Sequence, residues 1–93
     1  MRYVICRSKE AAVFAGEFIS RNGREVVLHN ARRIWYWDGA ATLSQLAVDG
    51  TTSPKTCKFP VVVPHVELLE VCEILDCTEK ARASIEAVPT WAR

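Results

Sequence analysis

Strong charge of one sign and long apolar runs are both missing from this chain of 93 residues. Twelve lysines and arginines stand against eleven aspartates and glutamates, so the formal net charge is +1. Proteins that bind long nucleic acids usually carry a basic stripe and a pI above about 9, whereas this chain has a pI near 7.7. No apolar run approaches the roughly 20 residues that cross a bilayer. We therefore expect a cytosolic protein with no long nucleic acid and no membrane as partner.

The signatures of common catalytic and cofactor sites are also missing. The chain has no glycine-rich phosphate loop, no dinucleotide fingerprint and no strained turn that would present a nucleophile to a histidine. Its four cysteines and His65 lack the short spacing of zinc sites, and cysteines in the cytosol are reduced. The acidic side chains scattered over residues 67–76 are typical of a solvated strand face. We expect no enzymatic activity, no metal and no cofactor.

Hydrophobic patterning predicts one small α+β domain over residues 1–93, with a mainly antiparallel sheet, a short central helix and a C-terminal helix. Thr42 and Gln45 form a capping box for the central helix, and Thr78 caps the C-terminal helix, which Pro89 ends. A domain this small has a marginal core, so we also expect a homo-oligomer. The predicted strands are Tyr3–Arg7, Val13–Ile19, Val26–Leu28, Arg33–Trp37 and His65–Leu75.

Short signals predict where these strands turn or bend. Asn22 and Gly23 lie between two apolar runs and predict a tight hairpin, while Gly16 predicts a bulge or a close backbone approach. In the last predicted strand the alternation slips at Leu68, which predicts a bulge there. Cys72 alternates with Glu70 and Ile74 in the same strand and is assigned to the core.

The segment Arg32–Trp37 combines two guanidinium groups with three large aromatic rings. If the segment is a strand, its side chains alternate, so Arg33 and Trp35 lie on one face and Arg32 lies on the other. A strand in the core would not carry arginine on both faces. At least one face is therefore expected to contact solvent, a partner or a ligand.

Two interpretations of this segment remain open. In the first, the rings fill the core and the arginines pair with acids such as Glu17, Glu67 or Glu73. In the second, the arginines bind phosphate or ribose, the rings stack on a base, and polar neighbours orient the ligand. The candidate ligand-binding residues are Arg32, Arg33, Trp35, Tyr36, Trp37, Asp38 and Thr42.

The longest recognisable motif is ARRIWYW-x-GA-x-TLSQLA at residues 31–47, followed by CKFP at 57–60 and VP-x-W at 88–91. Over most of its length after the first twenty residues, the chain resembles a family of small phage and prophage proteins of unknown function. The resemblance carries over no catalytic or binding residues. It implies a counter-defence role, because compact phage proteins without enzymatic motifs often act against host immunity.

The expected function is to sequester a small nucleotide-derived host immune signal, such as a cyclic ADP-ribose isomer or a cyclic oligonucleotide, in the host cytoplasm. One alternative is inhibition of a host defence complex by direct protein contact, as anti-CRISPR proteins do. Another is a virion accessory protein. A deep pocket lined by arginine and an aromatic ring favours sequestration, whereas a flat exposed patch favours a protein inhibitor.

Overall fold

Alternating apolar side chains form five antiparallel strands, and two short helices pack beside them in an α+β fold. The computed structural model describes residues 1–93. Neither helix is long and apolar enough to cross a membrane. The elements in chain order are β1 Tyr3–Ser8, β2 Ala12–Asn22, β3 Glu25–Arg33, α1 Leu43–Asp49, β4 Val63–Leu68, β5 Val71–Asp76 and α2 Glu79–Ala87, with a 3-10 turn at Pro54–Thr56.

The sheet curls strongly, because its two edge strands are consecutive in the chain. The strand order is β4-β3-β2-β1-β5, yet only Leu69 and Glu70 separate β4 from β5. Edge strands of a flat five-stranded sheet lie about 19 Å apart, and three peptide units span at most about 11 Å. The sheet therefore bends into an open barrel with a corner at Leu69–Glu70. Glu70 takes the left-handed φ of 53° at this corner.

This corner corrects the prediction of one long strand at His65–Leu75. The slip in alternation at Leu68 is real, but it marks the end of one strand and the reversal into another rather than a bulge. The prediction for Cys72 is wrong for the same reason, since β5 is an edge strand and the Cys72 side chain is exposed. Cys6 and Cys57 are the buried thiols.

The core has two layers, one on each face of β1. Tyr3 and Ile5 project toward the helices, while Val4 and Cys6 project into the curl of the sheet, as the alternation of a strand requires. The layer beside the helices is Tyr3, Ile5, Ala15, Ile34, Leu46, Ala47, Cys57, Phe59, Ile85 and Val88. The layer inside the curl is Val4, Cys6, Phe14, Val26, Leu28, Ala31, Leu68 and Val71.

The predicted bulge and hairpin in β2 and β3 are confirmed. The pairing register shifts between Ala15 and Glu17, on either side of Gly16. A Cβ atom on Gly16 would lie 2.7 Å from the Cβ of Ala31, so only glycine allows the two strands to approach this closely. At the hairpin, Asn22 pairs with Glu25 and Gly23 takes the left-handed φ of 61°.

Both helices begin where their capping residues predict. The Thr42 hydroxyl accepts a hydrogen bond from the amide of Gln45 at 3.1 Å, and the Gln45 side chain accepts from the amide of Ala41 at 2.7 Å. The reciprocal arm of the capping box thus reaches one residue further back than in its usual form. The Thr78 hydroxyl accepts from the amide of Ala81 at 3.0 Å.

The predicted strand Arg33–Trp37 is wrong. β3 ends at Arg33, and the following residues form only an isolated bridge between Tyr36 and Lys58. Side-chain alternation fails with it, because Trp35 and Tyr36 are adjacent in sequence and both exposed. The aromatic segment is a surface loop anchored at one end by the buried side chain of Ile34.

Candidate functional site

Arg32 lies in the interior and does not reach a ligand. Its side chain is buried, and its guanidinium donates to four backbone carbonyls at the end of α2 and in the segment before β4. These bonds reach Phe59, Pro60, Ile85 and Val88 at 2.8–3.2 Å. The prediction that Arg32 binds phosphate is therefore withdrawn, because four of its five N–H donors are already committed. Burial lowers the pKa of this guanidinium.

Arg33 and Trp37 are half-buried and engaged within the fold. The Arg33 guanidinium donates to the carbonyl of Ala11 at 2.6 Å and lies 4.4 Å from the centroid of the Phe14 ring. The Trp37 indole packs against the helical core layer and donates to the carbonyl of Ala40 at 3.1 Å. Both side chains therefore order the protein's own loops.

The side chains of Asp38 and Thr42 also form hydrogen bonds within the protein itself. The Asp38 carboxylate accepts from the amide of Gly39 at 2.9 Å and from the Thr56 hydroxyl at 3.0 Å, and its carbonyl accepts from the Thr51 hydroxyl. Asp38 thus holds the loop at residues 51–57 in place. Thr42 caps α1, and a helix of seven residues whose Gln45 amide is already capped is a poor anion site.

The proposed pairing of the two arginines with acids is also wrong. Glu17 binds Arg82 at 2.9 Å, and Glu73 binds Arg7 at 3.2 Å. Glu67 lies 3.3 Å from His65. The fold therefore satisfies Arg32 and Arg33 mainly with backbone carbonyls and aromatic faces.

Trp35 and Tyr36 are the two predicted aromatic residues that remain exposed, and two further residues join them. The Trp35 ring is stacked on Trp91, with centroids 6.4 Å apart and planes tilted by 11°. The Lys58 ammonium lies 5.6 Å from the centroid of Trp91 and 6.0 Å from that of Tyr36. We call these four residues, Trp35, Tyr36, Lys58 and Trp91, the aromatic surface.

Three separate chain segments come together to build the aromatic surface. The amides of Trp35 and Tyr36 both donate to the carbonyl of Lys58, and the amide of Lys58 donates back to Tyr36 at 2.8 Å. The amide of Trp91 donates to the carbonyl of Phe59 at 3.0 Å. Phe59 is completely buried, so it anchors the middle segment while its neighbours carry the exposed side chains.

The three rings of the aromatic surface are accessible to solvent, and its lysine has no carboxylate partner. Trp35 is 63% exposed, Tyr36 50% and Trp91 41%, and Lys58 forms no ion pair. Flat rings next to one cation suit stacking, cation–π contact and burial against an apolar partner. No group of three histidine, cysteine, aspartate or glutamate side chains is placed to hold a metal ion.

The cavities of the protein lie elsewhere. An open cavity of about 510 Å³ is lined by Glu10, Ala11, Glu67, Leu69 and Glu70. A smaller one of about 190 Å³ is lined by Arg21, Gly23, Val71, Cys72, Glu73 and Ile74. Neither contains an aromatic ring, so the deep pocket of arginine and aromatic side chains that sequestration favours is not formed by the single chain.

Sequence reasoning missed Lys58 and Trp91 as members of the site. They are 33 residues apart in the sequence. They become neighbours because Thr90, next to Trp91, forms a bridge with Phe59, next to Lys58. The available signal was Trp91 itself, a large ring that follows Pro89 beyond the last helix and has no strand to bury it.

The fold and this surface define a small α+β protein with an exposed aromatic cluster. The chain belongs to the family described as a domain of unknown function, DUF6948, whose model matches residues 1–85. This agrees with the expectation of an uncharacterised family, while a phage origin stays a prediction. No curated protein and no solved structure matches the chain.

Proposed function

We propose that this protein is a non-enzymatic binding protein that contacts a partner protein through the aromatic surface. The observation that carries the proposal is the stacked, exposed pair Trp35 and Trp91 with no cavity beside it. Tryptophan and tyrosine dominate the residues that lose most binding energy when truncated in protein interfaces. Exposed apolar clusters on small proteins mark such interfaces.

The cation in this surface indicates the chemistry of the partner. Lys58 projects between Tyr36 and Trp91 and has no carboxylate of its own. A partner surface that combines an apolar patch with an acidic side chain would bury the rings and pair with Lys58. The exposed side chains of Val61 and Val62 follow Lys58 closely in the chain and extend the apolar character.

The resemblance to phage proteins suggests the kind of target. A compact cytosolic protein that presents an aromatic surface fits the alternative of a host defence complex blocked by direct protein contact. A virion accessory protein would use the same surface inside an assembled particle. We favour the defence complex, because the charge balance and the single small domain suit a freely diffusing inhibitor.

Sequestration of a nucleotide-derived signal is the second candidate. Its support is Lys58, whose ammonium lies within 6.0 Å of two ring centroids and would place a phosphate beside a stacked base. Arg32 is buried, and the half-buried Arg33 donates to Ala11, so Lys58 is the one cation within the aromatic surface. A sequestering protein would therefore need a second copy to enclose the ligand.

The experiment uses Trp35→Ala, Trp91→Ala and Lys58→Glu, with Val48→Ala as a matched control. Val48 is an exposed apolar residue on α1, 54% accessible. A protein recovered from cell extract with the immobilised wild type is purified, and its affinity for each variant is measured by calorimetry. We expect each variant of the aromatic surface to weaken binding about tenfold or more, as for interface hot spots, and the control to bind normally.

A panel of cyclic dinucleotides, cyclic trinucleotides and ADP-ribose cyclic isomers is tested in parallel by thermal unfolding. Stabilisation by one member, lost in Trp35→Ala, would favour sequestration and overturn the proposal. Equal binding of the purified partner to all variants would also overturn it.

A further inference from the structure

Two histidines lie side by side on neighbouring strands of the sheet, outside the aromatic surface, with their ring planes tilted by 53°. His29 on β3 and His65 on β4 are direct partners in the antiparallel register. Nε2 of His29 lies 3.1 Å from Nδ1 of His65, and the ring centroids are 5.1 Å apart. Directly opposite residues in such a ladder share one face and have Cβ atoms about 4.5–5.5 Å apart. The strand pairing therefore fixes the approach of the two rings.

Glu67 sets the orientation of one ring. Its carboxylate lies 3.3 Å from Nε2 of His65, two residues along the same strand and on the same face. When Nε2–H donates to this carboxylate, the neutral ring carries its lone pair on Nδ1, the atom that faces His29. A carboxylate behind the far nitrogen is the usual support of a metal-bound histidine, since it fixes the tautomer and makes the ring more basic.

We infer that His29 and His65 bind one divalent late transition-metal ion, with Glu67 as the supporting carboxylate. Two imidazole nitrogens that each lie about 2.0–2.1 Å from one ion are about 2.9–3.4 Å from each other, and the observed separation of 3.1 Å falls in this range. His65 is exposed, so its ring is free to turn until its lone pair and that of His29 point to one ion.

The rest of the coordination sphere is open. No third histidine, cysteine, aspartate or glutamate joins the pair to form a ligand group, so water or a donor from a bound partner fills the other positions. Glu67 also lines the larger cavity with Glu10 and Glu70, and this local negative charge attracts cations. Imidazole ligands suit Cu²⁺, Ni²⁺ and Zn²⁺, and Cu²⁺ is bound most tightly of the three.

The test is a Cu²⁺ titration followed by electron paramagnetic resonance. It uses the full chain in a Cys72→Ser background with the N-terminal amine acetylated, because an exposed thiol and a free amine also bind copper. We expect one bound ion with two imidazole nitrogens. His29→Gln and His65→Gln should each lower the affinity about tenfold or more and leave one imidazole, while Glu67→Gln should keep both and lower the affinity about tenfold.

Circular dichroism and thermal unfolding of each variant without copper show that the fold is retained, which we expect because the pair lies at the surface. A copper signal that is unchanged in both histidine variants would overturn the inference. So would an absence of binding at micromolar Cu²⁺, since the pair would then be a simple hydrogen bond between strands. Neither result bears on the aromatic surface, which holds no histidine.

Discussion

At the scale of single residues, the most consequential side chain is the buried cation Arg32. Its partners are backbone carbonyls. Two of these carbonyls, those of Ile85 and Val88, lie at the C-terminal end of α2. A positive charge is favourable there because the helix dipole concentrates negative charge at that end. Arg32 therefore connects β3, the segment before β4 and the last helix without any acidic partner.

Replacement of Arg32 by methionine should lower the free energy of unfolding by about 3–5 kcal/mol, since several buried carbonyls would lose their only side-chain donor. Arg32→Lys should cost less, because an ammonium still reaches part of the carbonyl cluster. Urea unfolding measures both, with Arg24→Met as the control, because Arg24 is exposed. Similar losses for Arg32→Met and Arg24→Met would contradict the structural role.

Two thiols make stability depend on alkaline pH. Burial raises the pKa of Cys6 to about 11 and that of Cys77 to about 12. The same thiols ionise near pH 9 in the unfolded chain. Above that pH the unfolded state binds fewer protons than the folded state, so the free energy of unfolding falls as the pH rises.

We therefore expect the urea midpoint of the reduced protein to decrease between pH 8 and pH 10. In Cys77→Ala the decrease should be smaller, although the midpoint at pH 8 also changes with the lost packing. The slope against pH, not the midpoint itself, is the measured quantity. An unchanged slope in Cys77→Ala would show that this thiol does not contribute.

At the scale of elements, Thr78 joins the two helices. Its hydroxyl accepts from the amide of Ala81 and donates to the carbonyl of Val48 at the end of α1. Thr78→Ala should lose about 1–2 kcal/mol, the cost of one cap and one hydrogen bond, while Thr78→Ser keeps both. Thr90→Ala, at an exposed position, is the control in urea unfolding. Equal stabilities of Thr78→Ala and Thr90→Ala would refute the link.

The elements that could be predicted from the sequence are those set by local chemistry. β1, the hairpin at Gly23 and both capped helices depend on neighbouring residues, and each lies where its pattern predicts. The corner at Leu69–Glu70 could not be predicted, because a slip in alternation looks the same for a bulge and for a reversal. Only the pairing of β5 with β1, 63 or more residues away, distinguishes them.

The candidate site was less predictable for a related reason. The strand predicted at Arg33–Trp37 assumed that a β-rich composition implies pairing, but beyond Arg33 the segment forms only an isolated bridge with Lys58. Arg32 looked like a ligand contact because arginine is rarely buried. The carbonyls that bury it come from residues 59–60 and 85–88, which no short-range pattern connects to β3. Trp35 and Tyr36 stayed in the site because nothing covers them.

At the scale of the whole molecule, surface area bears on the expectation of a homo-oligomer. The chain exposes 5585 Å², and a folded monomer of 10.4 kDa is expected to expose about 5,400 Å². The accessible surface area is thus close to that of a typical monomer of this mass. The small size of the chain does not by itself require a second copy. The oligomeric state stays a prediction that depends on particular surfaces.

The prediction of a homo-oligomer and the proposed function both concern the aromatic surface. If the surface binds another protein, it must be free in the isolated chain, so wild type and Trp35→Ala should sediment as the same species. Analytical ultracentrifugation at about 10–100 μM covers the range in which weak small interfaces associate. A dimer in the wild type that dissociates in both Trp35→Ala and Trp91→Ala, but not in Val48→Ala, would show that a second copy covers the rings. The partner would then have to bind elsewhere, and the enclosed interface between copies would become the place to look for a sequestered nucleotide.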